Sequence, residues 1–142
     1  MKNKILTLLG TAALVSSLGV TSLNASSAKP GKPFLIQGKL PHLTGMVKIL
    51  WDDEDLALTA DQQKKLMKVR KSTMTRAKAL GKQVNALESK IVEASEKGAT
   101  PESLKAEVSK LASLRAQATM VHLECIFNTR KILSAEQLYV LE

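Results

Sequence analysis

Three groups of residues are placed where they could do chemistry. The first is His122 and Cys125, three positions apart, which puts them on one face of a helix. A neutral imidazole and a thiolate are good ligands for zinc or another transition metal such as copper. Met120 and Glu124 stand close by in sequence, but the only other histidine, His42, lies far upstream in a Pro-rich stretch. A closed site needs about four ligands. Two His–Cys pairs brought together in a dimer would meet that number. The plainer reading makes Cys125 a small core residue and leaves His122 at the edge of a helix pair.

The second group is a run of cations. Lys64, Lys65, Lys68, Arg70, Lys71, Arg76, Lys78 and Lys82 follow Gln62, and no acid interrupts them before Leu87. Lys64, Lys68, Lys71, Thr75, Lys78 and Lys82 are separated by steps of four and three, which makes one stripe along a helix. Like charges at that spacing repel by about 0.2–0.5 kcal/mol per pair, so this is not the mixed-sign face of an ordinary solvated helix. Met67 and Met74 flank the stripe. Methionine adapts its shape to irregular apolar partners. Charge would draw in an unfolded chain, and Met with the lysine stems would hold it weakly. The stripe is thus a candidate client-binding surface, with a merely soluble basic helix as the bland alternative. Nucleic acid is not expected, because no aromatic side chain stands along the stripe to stack on bases. An anionic membrane surface is a further candidate partner.

The third group is one phrase written twice. Leu58-Thr59-Ala60-Asp61-Gln62 and Leu133-Ser134-Ala135-Glu136-Gln137 share the order Leu, hydroxyl, Ala, acid, Gln. Each fits a capping box, in which the hydroxyl accepts from the backbone N–H three residues on and the Gln reaches back to the cap. Asp61 and Glu136 sit where a negative charge favours the helix dipole. Leu133 and Leu138 form a hydrophobic staple in the second copy. Gln63 takes the corresponding place in the first, which therefore lacks one. The midpoint between Gln62 and Gln137 falls inside Gly98-Ala99-Thr100. If the chain folds back at that point, the two phrases meet at the open end of a hairpin.

These groups need long helices to position them. From Ala60 to about Lys97 there is no Pro and one Gly, and Leu66, Val69, Thr73, Ala77, Leu80, Val84, Leu87, Ile91 and Ala94 recur every three or four residues. That is the seam of an amphipathic helix, roughly 57 Å long at 1.5 Å per residue. Gly98 suits its end, and Thr100-Pro101 suits the start of the next. Leu104, Val108, Leu111, Leu114, Ala118, Val121 and Cys125 form the second seam, and Leu123, Ile126, Phe127 and Arg130 a second stripe that predicts burial on more than one side. That helix should run to about Lys131, with a short one starting at Ala135. Upstream, residues 43–51 read as one or two helical turns, and residues 29–42, with three prolines and two glycines, as a flexible Pro/Gly/Lys arm. The fold class expected is all-α, a long antiparallel hairpin with short flanking helices.

The N-terminus reads as a segment that is removed. Lys2 and Lys4 precede a mostly apolar run from Ile5 to Val20, and Ser26-Ser27-Ala28 offers small residues for cleavage, the anatomy of a secretory signal peptide. No Cys stands near residue 28, so a lipid anchor is not indicated. The mature chain would be residues 29–142, and losing two lysines would take its formal charge from +8 to +6. A basic exported domain should attract acidic partners. Its single cysteine cannot close an intrachain disulfide. No nucleophile with a base, no catalytic carboxylate pair and no cofactor loop stands out, so an enzyme is not expected.

A basic, exported, helical chain with an LTxxQ phrase before one long helix and again after the next resembles the Spy/CpxP family of periplasmic proteins. Leu58, Thr59 and Gln62 match that motif in full, whereas Leu133, Ser134 and Gln137 depart from it by Thr to Ser. The resemblance covers roughly residues 43–142. It implies a cradle-shaped homodimer of hairpins, ATP-independent chaperone activity toward unfolded envelope proteins, or regulation of a stress sensor kinase through its periplasmic domain. It also implies that zinc or a related metal binds some members.

Overall fold

The computed structural model describes residues 31–141. The expected signal peptide lies outside the described residues. Four helices follow one another: α1 (Leu43–Ile49), α2 (Ala60–Glu96), α3 (Pro101–Ile132) and α4 (Ala135–Val140). The fold is all-α among the described residues, and α2 and α3 form the long hairpin. None of these helices is long and apolar enough to cross a membrane.

The turn between α2 and α3 is built by local chemistry. Gly98 adopts φ +84°, a left-handed conformation that a β-carbon resists. Its N–H donates to the Ser95 carbonyl at 2.9 Å and the Ala99 N–H to the Ala94 carbonyl at 3.0 Å, the paired bonds of a Schellman motif. The Thr100 side chain then accepts from the Ser103 N–H at 3.3 Å, and Pro101 opens α3. Ion pairs cross the hairpin between α2 and α3: Lys90 to Glu107 at 3.3 Å, Glu88 to Arg115, and Arg76 to Glu124 at 2.7 Å.

The α2 seam faces inward along its whole length, with Leu66 and Val84 fully buried. The α3 seam does so only in part. Leu114, Ala118, Val121 and Cys125 are buried, but Val108 is 51% exposed. Periodicity assigns Val108 to the side facing α2, yet near the turn two helices alone cannot enclose it. Phe127, expected to be buried by the second stripe, is 57% exposed, and the Lys131 ammonium lies 4.6 Å from its ring centroid.

The largest apolar core gathers at the open end. Val47 of α1, Leu56, Leu66 of α2, Leu133 and Leu141 are buried together, with Trp51, Leu58, Ile132 and Leu138 packed against them. Here α1, the 50–59 connector and α4 supply the extra layer that the hairpin itself lacks.

Candidate functional site

Both phrases form complete capping boxes. The Thr59 hydroxyl accepts from the Gln62 N–H and the Ser134 hydroxyl from the Gln137 N–H, each at 3.2 Å. In return the Gln62 Oε1 accepts from the Thr59 N–H and the Gln137 Oε1 from the Ser134 N–H, each at 3.0 Å. The two boxes then join. Gln62 Nε2 donates to Gln137 Oε1 at 2.7 Å, and Gln137 Nε2 donates to Gln62 Oε1 at 3.1 Å. The remaining N–H of Gln62 reaches the Ile132 carbonyl at 2.9 Å, and that of Gln137 reaches the Leu56 carbonyl at 2.9 Å. Every donor and acceptor of both amides is used, so the pair acts as a clasp across the open end. Beside it stands Ala57, whose φ of +41° is costly for a residue with a β-carbon, by about 1–2 kcal/mol. The Ala57 carbonyl lies 3.4 Å from Gln137 Nε2.

Beyond the clasp, the cations of α2 divide into two sets. Lys65 pairs with Asp61 at 2.6 Å, Arg76 pairs with Glu124, and Arg70 donates to the Thr44 carbonyl at 3.5 Å. Lys64, Lys68, Lys71, Lys78 and Lys82 are exposed and make no ion pair among the described residues. Met67 and Met74 are 62% and 56% exposed. Each borders an apolar hollow. Met67 shares a groove of about 470 Å³ with Val47, Lys48, Trp51 and Leu66, between α1 and α2. Met74 borders a second hollow lined also by Phe34, His42, His122 and Cys125.

That second hollow brings together what the sequence kept apart. His42 stacks on His122 with centroids 4.7 Å apart and planes at 16°, and the Phe34 ring tilts against His122 at 5.1 Å. His122 is buried, and its Nδ1 has no hydrogen-bond partner among the described residues. Burial holds its imidazole below the ordinary histidine range; His42 pushes the same way, and the Pro41 backbone opposes both. The buried Cys125 Sγ lies 3.7 Å from the Thr44 hydroxyl. Stacked rings present their faces to each other, not their nitrogens to a common point. Among the described residues no three His, Cys, Asp or Glu side chains gather closely enough to hold a metal ion.

The chain matches no family model, no curated protein and no solved structure. The functional reading therefore stands on geometry.

Sequence reasoning missed one set of contacts. Residues 31–42, read as a flexible arm, carry no regular secondary structure but lie along the hairpin as a strap. The Leu35 N–H donates to the Thr119 hydroxyl at 2.8 Å, and Arg115 donates to the Lys32 carbonyl at 3.0 Å. No side-chain pattern could have signalled them, because on the strap they use main-chain atoms.

Proposed function

We propose that this protein is an exported, ATP-independent chaperone-like binder of unfolded proteins, acting as a homodimer in an envelope stress response. One observation carries the reading: five exposed lysines that make no ion pair among the described residues run along α2, and an apolar groove edged by Met67 opens on the same helix. A folded domain usually offsets such charge. Left bare, it raises the encounter rate with acidic, unfolded chains. The groove, holding Trp51, Val47 and Met67, supplies apolar contact of low specificity.

Charge reversal tests this reading. Replacing Lys68, Lys71, Lys78 and Lys82 together with Glu should abolish suppression of aggregation of a denatured client while far-UV circular dichroism stays unchanged. Suppression at the level of the parent protein would refute it.

A second reading on the same fold is a metal-responsive regulator acting on a sensor kinase. His42, His122 and Cys125 line one hollow, and this reading requires them to rearrange, because as placed they do not gather closely enough to hold an ion. Zinc titration calorimetry separates the two, since a regulator of this kind would lose its heat of binding in Cys125→Ser.

A further inference from the structure

The strap is seated in an unusual way for a piece of core. Arg115, Thr119 and His122 lie four and then three residues apart, on one face of α3. Between them they make four contacts with the strap, all within residues 32–35. Arg115 donates to the Lys32 carbonyl at 3.0 Å and to the Phe34 carbonyl at 3.5 Å. Thr119 accepts from the Leu35 N–H, and the His122 ring meets the Phe34 ring. On the other wall Pro33 lies over Gly81 of α2, where a β-carbon would stand 3.6 Å from its ring.

The receiving side chains are built in advance. Glu88 of α2 holds the second Arg115 nitrogen, leaving the first aimed at the strap. The Thr119 hydroxyl spends its proton on the Arg115 carbonyl at 2.9 Å and so turns its lone pairs outward as an acceptor. Thr119 is itself buried. Against this, the strap's own side chains are poorly enclosed, with Leu35 56% and Ile36 40% exposed. Two carbonyls and one N–H are features of every peptide. The groove asks only for an extended backbone with a ring in one position.

We propose that this face of α3 is a receptor for short extended apolar segments of other chains, and that residues 32–36 are its tethered, displaceable occupant. The identity of the natural ligand, a segment of an unfolded protein, rests on the chaperone reading; the groove and its occupant do not. A strap that competes with ligand lowers apparent affinity by the fraction of time the groove stands open.

The test uses the full chain and a fluorescent synthetic peptide carrying residues 31–37. Phe34→Gly with Leu35→Pro removes the ring contact and the N–H that Thr119 accepts. If the groove is open about a tenth of the time, this strap variant binds the peptide roughly tenfold tighter than the parent chain. Adding Arg115→Ala and Thr119→Val to the strap variant should then weaken binding at least about tenfold, as expected for lost hydrogen bonds to a pre-set site. Equal affinity in parent and strap variant, or affinity indifferent to Arg115 and Thr119, overturns the inference. If the strap variant loses helix content, the parent chain decides instead. Excess unlabelled peptide should speed hydrogen exchange at the Leu35 amide severalfold, and an unchanged rate counts against the proposal. Charge reversal at Lys68, Lys71, Lys78 and Lys82 leaves peptide affinity unchanged on this account. Peptide affinity indifferent to Arg115 and Thr119, in a chain that suppresses aggregation and loses that activity on charge reversal, would therefore remove the strap proposal and leave the chaperone reading standing.

Discussion

The two ends of the hairpin are closed by different means. At the turn, the chain itself does the work: a left-handed glycine, a Schellman pair and a Thr–Pro start to α3. Little is buried there, and Val92 and Val108 stay more than half exposed. At the open end nothing covalent links α2 to α3. The chain supplies α1, a connector and α4 to bury Val47, Leu56, Leu66, Leu133 and Leu141, and it joins the helices through Gln62 and Gln137. A two-helix hairpin has no interior of its own. Stability must be added where extra layers can be brought in, and here they are brought to the end that lacks a covalent link.

The contrast can be broken most strongly in the core. Leu66→Ala should lower unfolding free energy by about 3 kcal/mol, because it empties a fully buried site. Val108→Ala near the turn should stay within about 0.5 kcal/mol. Urea denaturation of both variants checks this, and similar losses would erase the distinction between the ends.

The clasp comes next. Gln62→Ala strands amide groups of Gln137 and should cost about 2 kcal/mol. The double variant with Gln137→Ala should cost less than the two single losses together, by about 1 kcal/mol, since the partners act as one unit. Strict additivity would mean that the amides do not cooperate.

The smallest effect concerns acid. Burial keeps the folded His122 imidazole below the ordinary histidine value of about 6.5. Above that value neither state is protonated and nothing changes. Below it the unfolded chain takes up a proton that the folded chain refuses, so stability falls as pH falls toward the folded pKa. The thermal midpoint should decline between neutral and mildly acidic pH, and His122→Phe should flatten that decline. Identical slopes would assign the sensitivity to another group.

Much of the frame was legible because its determinants are local or symmetric. Capping boxes sit within five residues, helix seams repeat every three or four, and the fold-back point lies midway between Gln62 and Gln137. The rest depends on what a periodic face meets. Val108 and Phe127 have the right spacing for burial but no third layer above them. The strap could not be read at all, since Lys32, Phe34 and Leu35 engage Arg115 and Thr119 through main-chain atoms. Nor could the stack of His42 on His122, which the docked strap brings about across eighty positions of sequence.

The clasp has a consequence for the conditions the molecule can tolerate. Its two amides are neutral, and neither gains nor loses a proton in any ordinary medium. Dissolved ions screen exposed charges over about 10 Å at 0.1 M, so the pull of the lysine row fades in brine and sharpens in dilute surroundings. The Gln62–Gln137 bond has no net charge to be screened. Screening of this kind depends on the ionic strength of the surroundings alone. The protein keeps its frame on a joint indifferent to salt, while its charged surface answers to it.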